Sequence, residues 1–495
     1  MKRYKVGLLP LYVKLYDEVL PDLAARVAPF VGHVEASLAG GGLEVVVAPL
    51  SRTRPDFAGA VELFESARVD AIVTLHLAYS PSLESAEVLA RSPLPIVMLD
   101  TTPDRDFGGH VDPLRLLENH GIHGVQDLAC VLRRFGKPYR VVSGHLDDPD
   151  VIQRCVVAVR EVAQAIDSPR ATLAPDAGGL PLPGHSTPRN ANAVRASQCL
   201  RSMNVLRIGG AFPGMGDFAV SDDVLRKVFG ITVENIEPNT LADAVNAVTR
   251  DAVAEEIAAD RQRFRVDCDE VVHARSVRVG LGLRAFLEHG GFGAFSLNFL
   301  AFNDAGGPVN TVPFLECCKA MARGIGYAGE GDVLTAALVG ALLQGFGATS
   351  FTEMFCPDWL GHSLFLSHMG EINPAATAAQ PVLHEKDFPF TATLNPATLA
   401  CAPRPGRATL VNLAPGPNDS FRLITASVEV LADGTHPDLV RWVRGWIRPA
   451  LPLPRFLEEF SHLGGTHHSA LMVGEHTAAL ADFGELLNLE HRIIC

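Results

Sequence analysis

The chain lacks any uninterrupted run of about 20 apolar residues, the length a helix needs to cross a bilayer. Its longest candidate, 334–343, is Ala-rich and bounded by Asp332 and Gln344, so it reads as a buried helix and no membrane span is expected. Positive charge is scarce: 42 basic residues face 56 acidic ones, for a formal charge of −14. Without an extended Lys/Arg run, nucleic acid is excluded as a partner. The nine cysteines form no CxxC and keep no regular spacing, which argues against a disulfide scaffold and for reduced thiols in a cytoplasmic protein. The apolar run Val6-Gly7-Leu8-Leu9 is too brief for a secretory leader, and Asp17 and Glu18 soon follow. No GxGxxG follows the first strand-like run, so the dinucleotide fingerprint is missing.

What is present suits a large globular protein. Apolar residues make up 47% of 495 positions, enough for several cores. Short apolar runs at 5–9, 43–48, 71–76, 95–100 and 139–144 read as buried parallel strands. Stretches of helical period at 20–38, 58–66, 83–91 and 125–135 lie between them. Strand–helix alternation predicts a doubly wound α/β sheet. A helix over 151–165 leads into a Gly/Pro-rich linker at 176–188. A second α/β unit then follows, with strands at 205–209 and 231–236, a helix at 222–228 and one long helix over 241–259. The Gly-rich loop 209–217 has neither Lys nor Ser/Thr and is a weak phosphate signal. From about 391, β-like runs at 408–413 and 423–431 alternate with turns. The expected organisation is two Rossmann-like α/β domains, 1–168 and 169–325, followed by a β-rich, barrel-like domain, 326–495.

Chemistry concentrates late in the chain. Gly326-Tyr327-Ala328-Gly329-Glu330-Gly331-Asp332 opens a helix. There the acids either cap the N-terminus or, with glycine on both sides of Glu330, present a carboxylate to a ligand. Glu353 lies in Thr349-Ser350-Phe351-Thr352-Glu353, and His368 precedes Glu371 by three residues. Gly464-Gly465-Thr466-His467-His468-Ser469 places two histidines side by side. Neighbours on a strand face opposite ways, so one of them binds while the other positions or titrates. Carboxylates and imidazoles without thiolates or short ligand spacing suit an octahedral Mn²⁺-type site, not a closed structural zinc site. Trp359, in Cys356-Pro357-Asp358-Trp359-Leu360, is either a stacking surface for a sugar or a lid on the core.

These residues resemble the L-arabinose isomerase family, within the wider L-fucose/L-arabinose isomerase superfamily. The matching stretches are Asn119-His120-Gly121-Ile122-His123-Gly124-Val125-Gln126-Asp127, Val142-Ser143-Gly144-His145, Gly291-Phe292-Gly293-Ala294-Phe295, 326–332, 367–371 and 464–469, in the family's order over nearly the whole chain. The resemblance implies aldose–ketose isomerisation of a small-molecule sugar, with a divalent metal, Mn²⁺, and a homo-oligomer built on trimers (a trimer or hexamer). It implies that Glu330, His368 and His468 bind the metal and that His467 contacts substrate or ordered water. It also implies that His123 reaches the site of a neighbouring subunit. One departure stands out: Leu300 occupies the position of a family Glu that is both metal ligand and base. A leucine serves neither purpose, so the replacements open are Asn303 or Asp304 if the loop shifts, Glu353 or Glu371, or water completing the shell, with Glu330, His467 and Glu353 as the expected catalytic set. The departure argues against L-arabinose itself as substrate. A metal-assisted epimerase or a non-catalytic sugar-binding protein are the other readings open at this point.

Overall fold

The computed structural model describes residues 3–167 and 189–495; the linker expected at 176–188 lies outside the described residues. The five runs read as parallel strands form one sheet: Lys5–Leu11, Glu44–Val47, Ala71–His76, Ile96–Asp100 and Tyr139–Ser143. All neighbours pair in parallel, with Glu44–Val47 at one edge and Lys5–Leu11 second. Because helices cover both faces, the central strand Ala71–His76 is buried at every position, which is why it reads as a continuous apolar run.

The second unit holds a four-stranded parallel sheet in the spatial order Gly326–Gly329, Ala294–Leu297, Asn204–Ile208, Thr232–Ile236. Gly326–Gly329 thus lies with the central strands, and the following helix Val333–Phe346 is buried along nearly its whole length. The helix expected over 241–259 is broken into Ala242–Asn246 and Arg250–Arg263. Thr249 restarts it as an N-cap, its hydroxyl accepting from the Ala252 N–H.

The last third is a β-barrel. Strands Gly406–Pro415, His468–Val473, Thr349–Asp358, Ser363–Ser367, Gly445–Pro449 and Phe421–Val430 pair antiparallel in that order. Pairing of Gly406–Pro415 with Phe421–Val430 closes the ring, and Glu490–Ile494 adds in parallel at the edge. The register sets Glu353 opposite both His468 and Ser367. Residues directly opposite on adjacent strands have side chains about 5 Å apart, so the barrel gathers Glu353, His468 and the residue after Ser367 by backbone pairing alone. Among the described residues no helix is long and apolar enough to cross a membrane.

Candidate active site

Glu330 sits between the end of strand Gly326–Gly329 and the helix Val333–Phe346 at φ 63°, a left-handed conformation that costs a non-glycine residue about 1 kcal/mol or more. Its surroundings enforce this. The Glu330 carbonyl accepts from the Phe212 N–H at 2.8 Å. Gly331, at φ 84°, lies so close to the 209–217 loop that a Cβ there would meet the Gly210 carbonyl oxygen at 2.3 Å. The two readings of the acidic pair therefore divide between its members. Asp332 caps the helix through the Thr335 N–H at 2.8 Å, whereas the Glu330 carboxylate turns toward the histidines.

His467 and His468 both face it. His467 Nε2 lies 3.7 Å and His468 Nε2 3.3 Å from Glu330 Oε2. The strand-alternation expectation fails because the strand starts at His468, so His467 occupies a bend free of the pleat. The Asn412 side chain staples that bend, donating to the carbonyls of Thr466 and His468 at 3.0 and 2.7 Å. Glu353 closes the group, with Oε1 2.8 Å from His468 Nε2 and 3.2 Å from His368 Nε2. Glu330, Glu353, His467 and His468 each offer one ligand atom, and these four atoms lie within 4.8 Å of one another. His368, the third residue of the expected set Glu330, His368 and His468, stands against Glu353 at the edge of this group.

Behind each imidazole stands a carboxylate that fixes its tautomer. Asp217 takes His467 Nδ1 at 2.7 Å, Asp332 takes His468 Nδ1 at 2.9 Å, and Glu371 takes His368 Nδ1 at 2.7 Å. Each ring thus aims Nε2 inward. Those three Nε2 atoms, His123 Nε2 and Glu330 Oε2 are buried without a hydrogen-bond partner. Burial disfavours charge on His467 and His368, but Asp217 in the first case and Glu371 with Glu353 in the second hold both rings up at about 10. His468 is likewise raised against its burial, through Asp332, Glu330 and Glu353. Burial works to protonate Glu353, yet His368 and His468 keep it well below the usual carboxylate range. Buried donor atoms of carboxylates and imidazoles converging on one point fit a divalent cation.

The centre opens into a cavity of about 480 Å³. His123, from the helix Ile122–Arg134, lines it with Nε2 3.5 Å from Glu353 Oε2 of the same chain. His123 thus lines the cavity of its own chain. Burial pushes His123 down to about 3 despite Glu353, so it is a neutral ring. Trp359 stays outside: it is buried in the barrel core and donates Nε1–H to Thr102 Oγ1 at 2.8 Å. Asp358 caps the same turn, accepting from the N–H groups of Phe107 and Gly361. Leu300 packs against the core, and its neighbour Phe299 lines the cavity instead.

Asp217 is the residue that sequence reasoning missed. It ends the Gly-rich loop and lies 250 positions from His467, so no spacing links them. The loop buttresses the Glu330–Gly331 turn through Phe212 and Gly210, and Asp217 is its contribution to the centre.

Residues 214–344 match the L-arabinose isomerase central domain and residues 348–490 the L-arabinose isomerase C-terminal domain. L-arabinose isomerase of Shouchella clausii is 26% identical, with 99% of this chain and 93% of that protein covered. L-arabinose isomerase of Nocardioides sp. is 28% identical over 75% of this chain and 69% of its own length. The Bacillus subtilis L-arabinose isomerase is 26% identical over 86% and 80%. With two matched domains arranged around one shared centre, the chain belongs to the L-arabinose isomerase family of enzymes.

Proposed function

We propose that the chain is a Mn²⁺-dependent aldose–ketose isomerase acting on a sugar or sugar derivative other than L-arabinose. The observation that carries this is the convergence of unpartnered buried atoms of Glu330, His467 and His468 with Glu353 at the floor of the cavity. These four residues would hold the cation. A bound divalent ion polarises the sugar carbonyl and lowers the pKa of the adjacent hydroxyl.

The chain's own groups do the rest. Glu353 Oε1 lies 2.8 and 3.2 Å from His468 and His368 Nε2, which leaves Oε2, facing neutral His123 at 3.5 Å, to take a proton from one sugar carbon and return it to the next. A positioned base of this kind is worth roughly 10²–10⁴ in rate. It fills the role vacated at Leu300. Tyr79, held by its hydroxyl to Asp127 at 2.9 Å, and the Phe355 ring, edge-on to His123 at 4.4 Å, exclude water from that side.

Leu15, Leu116, Leu117, Phe212 and Phe390 line the cavity together with Glu385, Lys386, Asp387 and Arg441, so it has apolar and charged surface for a sugar derivative beyond a plain pentose. All nine cysteines are free thiols, which agrees with a reducing, cytoplasmic setting. We assign the protein to a trimer or hexamer on the resemblance alone.

The test is metal content after Mn²⁺ loading and desalting, beside Glu330→Gln, followed by ketose detection across a panel of aldoses. One ion per chain, lost in the variant, with ketose formed from a member of the panel supports the reading. No retained metal in the unmodified protein overturns it, and metal with no ketose from any aldose moves the assignment to epimerisation.

A further inference from the structure

We infer that the central unit carries a second binding site, for an organic phosphate, in a cleft of about 680 Å³ between the helices Ala242–Asn246, Arg250–Arg263 and Glu270–Gly290. It shares no lining residue with the sugar cavity.

Three arginines face this cleft, Arg250, Arg275 and Arg278, and no Asp or Glu lines it. The chain carries more acids than bases, 56 against 42, and several of its partly buried arginines are paired with carboxylates. Arg284 grips Glu256 and Glu316, Arg207 holds Asp222 and Arg422 holds Glu490. Among the described residues Arg250, Arg275 and Arg278 have no carboxylate partner. Arg275 donates once, to the Asn395 carbonyl at 2.7 Å, and its Nε is buried with no partner. Positions 275 and 278 are one helical turn apart on the same face, so both side chains reach the one cleft. The planar fork of arginine matches phosphate oxygens two at a time.

The floor gives the ligand its second property. Val245, Val253, Ile257 and Leu394 line it, so the carbon part of the ligand rests on apolar side chains while its phosphate reaches the arginines. Separation from the sugar cavity makes the site an effector site, independent of the catalytic assignment above.

The test is calorimetric titration of the full-length protein, at low and then raised salt, with four probes: ADP, glucose 6-phosphate, inorganic pyrophosphate and adenosine. Binding of ADP or glucose 6-phosphate, absence of binding by adenosine, and weakening as salt rises support the site. Binding of pyrophosphate alone overturns the organic part of the assignment. Arg250→Gln with Arg278→Gln is expected to weaken the phosphorylated probe about tenfold or more while Mn²⁺ content and melting temperature stay unchanged. Arg250 is exposed, so Arg250→Gln alone remains informative if the double variant misfolds. No binding by any probe at millimolar concentration, equal binding by wild type and variants, or a change in sedimentation caused by Arg250→Gln, which would mean that the arginines seat another copy of the chain, overturns the proposal.

Discussion

Asp217 accepts two hydrogen bonds from His467, one from the backbone N–H at 2.8 Å and one from ring Nδ1 at 2.7 Å. Main chain and side chain of the histidine are thus pinned by a single buried carboxylate. Its own position is set by Asp127, which accepts from the N–H groups of Gly216 and Asp217. This is a positioning role, and it is tested by Asp217→Asn. The amide keeps the shape but loses the charge that fixes the tautomer, so Mn²⁺ affinity measured by calorimetry should fall roughly 10–100-fold with little change in the fold. Unchanged affinity would remove Asp217 from the centre.

Gly331 lies at φ 84°, with the Gly210 carbonyl oxygen 2.3 Å from where a Cβ would stand. Gly331→Ala should therefore cost at least about 1–2 kcal/mol from the backbone conformation alone, and it should push Glu330 out of line. We expect a lower melting temperature together with reduced metal content. A variant as stable and as metal-rich as the parent would show that the loop yields freely.

His76 ends the central strand of the first sheet with both ring nitrogens buried and unpartnered, and burial pushes it from 6.5 down to about 3. The unfolded chain takes up this proton near its ordinary pKa and the folded chain does not. Stability is therefore lost as pH falls below about 6.5. Between about pH 7 and about pH 5 this single group removes about 2 kcal/mol. Urea unfolding of His76→Leu should show a correspondingly smaller acid loss than the parent, and parallel pH profiles would contradict the burial argument.

Trp359→Phe separates a core role from a sugar-stacking one. Loss of the Thr102 bond and of indole volume should cost about 1–3 kcal/mol in unfolding measurements, with Mn²⁺ binding and substrate KM unchanged. A raised KM at constant stability would return the ring to the sugar site.

Much of this was legible in the chain itself. The parallel strands announce themselves because both faces are buried, and the glycines around Glu330 and the paired histidines mark positions where backbone freedom serves a side chain. The break at Thr249 was signalled by a capping residue followed by acid in the first turn, but helical period on either side masked it. The placing of Glu353 opposite His468 and Ser367 depends on barrel register, a long-range pairing that no local spacing encodes. Asp217 and the core placement of Trp359 were hidden for the same reason: their partners lie 250 and 257 positions away.

Strand pairing across the barrel brings Glu353 and His468 together, the central unit supplies Glu330 and Asp217, and the first unit supplies His123. No contiguous stretch of the polypeptide owns the centre. A cation held by Glu330, Glu353, His467 and His468 would accordingly need the central unit and the barrel assembled together.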